Sequence, residues 1–345
     1  MPEYRHDLLH DRWVIIGNER ACRPQEFEEK VVRRLGQTCP FCAGSEDQTP
    51  VALATYNRPA SAAWSVRVVP NKYPAVEPSP PANGAASHHE LFDARPAVGQ
   101  HEVIIETPRH VVSLSELTPD ECALVFAAYQ DRLRACQGCG QLRYVQIFKN
   151  VGAAAGASIE HSHSQLLAMP HVPTHVLGEV ENCRRYQQQH SRPLLSAMLE
   201  EELRRGERIV AENAHLVAFC PWASRFPYEV WIVPRQGESD FAAVTAAEAG
   251  QAAAMTRDLI GRIERTLGSI GYNYLLHTQP FDSSRYDYYH WHIELFPRIT
   301  KVAGFEWSTG VFINTVAPET AAAELRSAAL PAGKNLAAVP TGKTS

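Results

Sequence analysis

Apolar and polar positions run through the same order twice along the chain. H-E-V-I-I-E-T-P-R-H (101–110) is a strand-like apolar run closed by Pro-Arg, and Y-E-V-W-I-V-P-R-Q (228–236) is a second. A helical pattern follows each. The first opens at Thr118 as N-cap with Pro119 at the first helical position. The second opens at Thr245 with Glu248 three residues on, the spacing of a capping box. Another strand comes next, Y-V-Q-I-F (144–148) in one case and Y-N-Y-L-L-H (272–277) in the other. Each series closes on a His-x-His strand, H-S-H-S-Q-L-L (161–167) and H-W-H-I-E-L-F (290–296). The offsets agree: 229 − 102 = 127 and 290 − 161 = 129. The pattern predicts an α+β fold of two duplicated units, each an antiparallel sheet with packed helices.

This places an N-terminal catalytic half at 1–172, a helical linker at 173–206 and a C-terminal half at 207–330. Residues 77–100, with several Pro, Gly, Ala and Ser, read as a loop, and 331–345 as a disordered tail. A length of 345 residues fits two domains at about 150 residues each. With 33 basic against 38 acidic residues the net charge is −5, too mild for a dedicated nucleic-acid or membrane-surface binder. No apolar run approaches the ~18 residues of a membrane span, and the charged start M-P-E-Y-R-H-D has no apolar leader. A cytoplasmic location is expected.

The chain has eight cysteines, two pairs of them as C-x-x-C. In T-C-P-F-C-A-G a turn brings Cys39 and Cys42 together, which suits one tetrahedral metal; a redox or incidental pair is the other reading. Cys136 and Cys139 lie where a helical pattern ends and have no paired histidines to complete a site.

Chemistry concentrates in K-N-V-G-A-A-A-G-A-S-I-E-H-S-H-S-Q (149–165). Gly152 and Gly156, among small residues, let backbone amides approach an anion. The strand that follows carries His161, His163 and Gln165 on one face by its period of two. A neutral imidazole attacking phosphorus yields a phosphoramidate and splits one displacement into two. Gln165 is placed to donate to a phosphoryl oxygen as charge develops. His161, with Cys39, Cys42 and His110, completes a Cys₂His₂ zinc set that would fix the strand bearing His163.

At these residues the sequence resembles the galactose-1-phosphate uridylyltransferase family of the histidine-triad (HIT) superfamily. The resemblance runs from R-W-V-I-I near Trp13 to F-I-N near Asn314. It rests on H-x-H-x-Q after N-x-G-A-A-x-G-x-S, together with C-P-F-C, V-V-P-N-K-Y-P, H-E-V-I-I-E and A-G-F-E. It implies a ping-pong transfer in which UDP-glucose gives its uridylyl group to a histidine and galactose-1-phosphate takes it up. The implied nucleophile is His163, assisted by Gln165; the zinc ligands are Cys39, Cys42, His110 and His161. Substrate contacts fall on Arg20, Arg23, Asn71, Asn150, Gly156 and Ser158. The partners implied are a nucleotide sugar and a hexose-1-phosphate, and the implied assembly is a homodimer.

Three departures modify this picture. Ser162 stands where the motif most often has proline. The segment K-V-A-G-F-E-W-S-T-G-V-F-I-N, with Lys301 and Glu306 as sugar contacts, looks more like a sister branch that includes a plant ADP-glucose phosphorylase. That makes adenylyl transfer to phosphate the alternative, with a HIT-type hydrolase a further one and a zinc-stabilised nucleotide-binding protein the non-enzymatic reading. The sister branch's second zinc site is expected to be lost, because its ligand positions read Pro193, Ser196 and Gln236-Gly237. A different second metal, iron or zinc, is implied at Glu179, His277, His290 and His292. In the second His-x-His strand Glu294 replaces the glutamine, and its charge would repel phosphate, so only the first half is expected to be catalytic.

Overall fold

The computed structural model describes residues 1–17, 39–58, 63–79, 89–282 and 284–329. Arg20 and Arg23, and the tail 331–345, lie outside these described residues. The chain opens with a hairpin, β1 (Glu3–Asp7) and β2 (Arg12–Ile16). The first half follows as β3 (Ala54–Tyr56), β4 (Val66–Pro70), β5 (Gln100–Ile105), α1 (Pro119–Gln137), β6 (Tyr144–Val151) and β7 (His163–Met169). Two helices cross over, α2 (Thr174–His190) and α3 (Leu194–Arg205). The second half is β8 (Ile209–Glu212), β9 (Leu216–Phe219), β10 (Val230–Pro234), α4 (Ala246–Leu267), β11 (Tyr272–His277) and β12 (His292–Pro297). The described chain ends with α5 (Gly304–Thr309), β13 (Phe312–Asn314) and α6 (Pro318–Ser327).

The two expected sheets are joined into one of ten strands, ordered β3-β4-β5-β7-β6-β11-β12-β10-β9-β8. The order is a mirror repeat: β6 and β11 pair antiparallel at the centre, with Asn150 opposite Asn273, and the rest of each half fans outward. The paired strands of this sheet all run antiparallel. Joining the halves removes two exposed sheet edges, which would otherwise be free to pair with other chains.

Both helix starts form as the caps predict. The Thr118 hydroxyl accepts from the Glu121 amide at 3.2 Å while the Glu121 carboxylate accepts from the Thr118 amide at 2.8 Å. Thr245 and Glu248 repeat this at 3.2 and 2.9 Å. Each cap contributes about 0.5–2 kcal/mol. α1 and α4 lie against one another on one face of the sheet. Phe126 and Leu133 of α1 and Leu259 and Ile260 of α4 share a core there with Ile104, Ile147, Leu166, Ile232, Ile293 and Leu295 of the strands.

The opposite face is treated differently in the two halves. Over the second half, α2, α3 and the loop after β1 close the surface: Leu9, Val180, Leu195 and Leu199 pack on Val217, Phe219 and Trp231. Over the first half, among the described residues, a small apolar group forms, Cys39 and Phe41 against Val69, Val103 and Ile105. Asn71, His101 and Gln165 stay half-buried beside it. The hairpin belongs spatially with the C-terminal end: β2 pairs parallel with β13, Phe312 opposite Val14, and Arg5 reaches Glu319 of α6 at 2.9 Å. Among the described residues, no helix is long and apolar enough to cross a membrane.

Candidate active site and metal centres

β7 begins at His163, so His161 lies in the turn leading into it. That offset separates the two histidines. His161 is fully buried and turns toward the C-x-x-C loop, with its Nδ1 3.5 Å from both Cys39 Sγ and Cys42 Sγ. His110 Nδ1 is 3.4 Å from Cys42 Sγ. Zinc bonds of ~2.3 Å to sulfur and ~2.0 Å to nitrogen give a tetrahedral S···N edge of about 3.5 Å, so these spacings fit one ion. The His161 ring is oriented for it, since Nε2 donates to the Thr107 carbonyl at 2.8 Å and leaves Nδ1 as the ligand atom. Burial pulls the His161 imidazole down to about 4, so it is neutral and ready to bind. Burial, with Cys39 alongside, pushes the Cys42 thiol up to about 11; a bound cation supplies the charge that makes it a thiolate. Cys39, Cys42, His110 and His161 thus come together closely enough for one ion.

His163 Nδ1 lies 2.7 Å from the His161 carbonyl oxygen. A carbonyl only accepts, so Nδ1 carries the proton and Nε2 keeps its lone pair. Burial lowers the imidazole's affinity for a second proton. The ring meets Phe41 edge-on at 5.3 Å between centroids. Gln165 follows on the same face of β7. Its Oε1 lies 3.0 Å from His101 Nε2, and Asn71 Nδ2 lies 3.1 Å from the same atom. Asn71 and Gln165 are therefore neighbours across β4, β5 and β7.

The glycine turn follows β6 at the end that lies beside the start of β7. Gly152 (φ 80°) and Gly156 (φ 87°) both hold left-handed backbone around a single 3-10 turn, Ala153–Ala155. Asn150 is half-buried beside it, and its Oδ1 accepts from Asn273 Nδ2 of the other half at 2.7 Å. Ser158 is exposed beyond the turn. Glu306 caps α5 by accepting from the Ala303 amide at 3.0 Å, and Lys301 is exposed ahead of it.

Beneath His163 lies a buried ion pair. Lys149 and Glu106 are both fully enclosed, 2.6 Å apart. Lys149 also donates to Ser162 Oγ at 2.9 Å and to the His163 carbonyl at 3.0 Å, and Ser162 donates to Glu106 at 2.6 Å. The serine between the histidines is thus tied to the charge pair behind them. Burial lowers the Lys149 ammonium from its usual value, and Glu106 opposes that.

The second half repeats the frame with other contents. His292 Nδ1 faces the His290 carbonyl at 3.2 Å, and Glu294 takes the place of Gln165. Glu294 is buried; burial alone would raise it, but Arg225 beside it holds it well below the carboxylate range. Glu179 from α2 reaches across, 3.1 Å from His277 Nδ1 and 3.5 Å from His292 Nε2. Glu179, His277 and His292 are gathered closely enough for one cation. His290 is placed apart from the other three residues of the expected set: it precedes β12, and its Nε2 is 2.9 Å from Ser196 Oγ. A Cβ at Gly237 would fall 3.2 Å from its ring. His290 therefore faces Ser196 and Gly237, where the sister branch was expected to keep its second zinc. Among the described residues it joins no three-residue metal-ligating group. His10 and His175 gather on Glu179 from the other side.

Sequence-family comparison matches residues 1–173 to "Galactose-1-phosphate uridyl transferase, N-terminal domain" and residues 179–333 to the C-terminal domain of the same family. The chain belongs to the galactose-1-phosphate uridylyltransferase family. Among family members, ADP-glucose phosphorylase from Arabidopsis thaliana is 33% identical over 337 residues, covering 95% of this chain and 93% of the relative. Galactose-1-phosphate uridylyltransferase from Thermotoga maritima is 27% identical over 335 residues, covering 94% and 98%. The crystal structure of the Arabidopsis ADP-glucose phosphorylase with bound ADP-glucose superposes with a TM-score of 0.82 at 30% identity, over 96% of this chain and all (100%) of that one. A uridylyltransferase structure gives 0.74 at 26% identity, over 95% and 98%.

Within this family frame, His101, Asn273, Lys149 and Glu106 are site neighbours that the sequence pattern hid. Each sits inside a strand or at its end, where a polar residue reads as an ordinary outward position. Each nevertheless had a usable signal, since His101 and Glu106 bound H-E-V-I-I-E, Lys149 opens the glycine-rich stretch and Asn273 lies in Y-N-Y-L-L-H.

Proposed function

We propose that this chain is a nucleotidyltransferase working through a nucleotidyl-His163 intermediate. The observation that carries the reading is the His163 Nδ1 contact to the His161 carbonyl at 2.7 Å, which leaves Nε2 unprotonated beside Gln165. Nε2 attacks the α-phosphorus of a nucleoside diphosphate hexose. A P–N bond forms, the P–O bond to the sugar phosphate breaks, and hexose-1-phosphate leaves with the electron pair. A phosphate oxygen of the acceptor then attacks the same phosphorus and restores the neutral imidazole. Gln165 donates to a nonbridging oxygen as charge builds there. The apolar group of Phe41, Val69 and Val103 lies beside the half-buried Asn71, whose amide would meet a polar edge of the base or ribose.

The family's namesake activity, uridylyl transfer from UDP-glucose to galactose-1-phosphate, is the main reading. Adenylyl transfer from ADP-glucose to phosphate is the second, favoured by 33% identity and a TM-score of 0.82 to the plant phosphorylase against 27% and 0.74 for the uridylyltransferases quoted. Zinc held by Cys39, Cys42, His110 and His161 would have a structural role, a closed site anchoring the start of β7. A second cation would be held by Glu179, His277 and His292. The test is isotope exchange: labelled glucose-1-phosphate with unlabelled UDP-glucose or ADP-glucose and no other acceptor. A ping-pong enzyme moves label into the nucleotide sugar. Turnover without exchange would contradict the covalent intermediate.

A further inference from the structure

We infer that His101 is a positioning residue that turns the Gln165 amide so that its NH₂ faces the phosphorus under attack. This rests on the role proposed for Gln165. The reasoning starts from a donor that cannot change. The Ala75 backbone N–H lies 3.0 Å from His101 Nδ1, so Nδ1 accepts. A neutral ring then carries its proton on Nε2. Nε2 is 3.0 Å from Gln165 Oε1 and donates to it. With its oxygen engaged, Gln165 has only N–H groups left for a ligand.

The opposite tautomer fails on the same contacts. Asn71 Oδ1 accepts from the Tyr73 amide at 2.9 Å, which turns the Asn71 NH₂ toward His101 Nε2 at 3.1 Å. A proton on Nδ1 would let Nε2 accept from Asn71. It would also set N–H against the N–H of Ala75 and leave two lone pairs facing at Gln165. That tautomer makes one bond where the other makes two. In the favoured tautomer the Asn71 NH₂, whose direction the Tyr73 amide sets, meets the Nε2–H without bonding to it, so that tautomer leaves one contact unbonded where the opposite one leaves two.

The ring is held by the sheet. The Asn71 amide donates to the His101 carbonyl at 2.8 Å, extending the ladder between β4 and β5. On β5, His101 stands opposite Leu167 and diagonal to Gln165, close enough for side chains on one face to meet. A reversed Gln165 would offer its carbonyl oxygen to phosphoryl oxygens, repelling where it should stabilise.

Because His101 acts through Gln165, removing both should cost no more than removing Gln165. The experiment compares His101→Phe, Gln165→Ala and the double variant in the zinc-loaded protein, following adduct formation from saturating UDP-glucose or ADP-glucose by quenched intact-mass spectrometry. Gln165→Ala is expected to slow the step about 10²- to 10³-fold. His101→Phe is expected to slow it about 10- to 100-fold, the usual cost of removing a group that orients a reacting one, with a smaller change in half-saturating donor. The double variant should match Gln165→Ala. If the two losses multiply, or if His101→Phe keeps the wild-type rate while Gln165→Ala is slow, the inference is overturned alone. If Gln165→Ala keeps the wild-type rate, the role of Gln165 fails and takes the inference with it. Nitrogen-15 NMR of histidine-labelled wild-type protein needs no variant: a protonated Nε2 on His101 supports the inference, and a protonated Nδ1 overturns it.

Discussion

His163 and His292 make the same hydrogen bond in the two halves of the sheet: each Nδ1 faces the carbonyl oxygen of the histidine two residues earlier, at 2.7 and 3.2 Å. The backbone device is duplicated, and the surroundings have diverged. Beside His163 stands a neutral, half-buried glutamine; beside His292 stands a buried carboxylate paired to Arg225 and covered by α2. Among the described residues, the second copy is filled by the protein's own charged side chains, whereas the first holds neutral amides in the corresponding places.

The zinc set gives the first prediction. If Cys39, Cys42, His110 and His161 hold zinc as proposed, Cys39→Ser should remove it, and with it the restraint on the turn before His163. Metal content by elemental mass spectrometry should fall by one zinc per chain, and adduct formation should slow in parallel. A variant that loses zinc and keeps its rate would detach the ion from the nucleophile's placement.

The second cluster separates two neighbouring histidines. His292→Ala should abolish any cation bound with Glu179 and His277, whereas His290→Ala should leave metal content unchanged, since His290 bonds to Ser196. Equal loss from both variants would return His290 to the ligand set.

The charge pair beneath His163 should show in stability. Lys149→Met strands Glu106 in a fully enclosed site, which costs about 3–5 kcal/mol. Lys149→Met with Glu106→Gln removes both charges and keeps an acceptor for Ser162, so urea denaturation should show much of the loss recovered. A double variant no more stable than the single would mean the pair is not energetically coupled.

Glu264 supplies a pH test. Burial raises its pKa above the ordinary 4.5, although Ser115 donates to it at 2.5 Å. A carboxyl raised in the folded state penalises folding where it must ionise, above its folded pKa. The penalty fades as pH falls toward the unfolded value, where both states are protonated. Glu264→Gln should therefore raise the melting temperature at pH 8 and confer little gain near pH 4. A gain that is larger in acid would reverse the assignment.

Much of this was legible in the chain. The duplicated order emerged because each strand, cap and His-x-His recurs at a nearly constant offset, and local patterning survives duplication. The gathering of Cys39, Cys42, His110 and His161 was legible because cysteine and histidine have few other uses in such a pattern. The pairing of β2 with β13 was not, because Val14 and Phe312 are far apart in the chain and a parallel edge contact leaves no local signature. The diversion of His290 was equally hidden. Two strand positions share a face only once the strand has begun, and β12 begins at His292. His101 and Asn273 escaped because their importance lies in neighbours on adjacent strands.

The most direct test of a nucleotidyl-His163 enzyme is peptide mapping after brief mixing with UDP-glucose and, separately, ADP-glucose, with no acceptor. The expected result is one uridylyl or adenylyl group per chain, on the peptide carrying His163, absent from His163→Gly protein that retains its zinc. An adduct on the peptide carrying His290 and His292, or none from zinc-loaded wild-type protein with either donor, would contradict it.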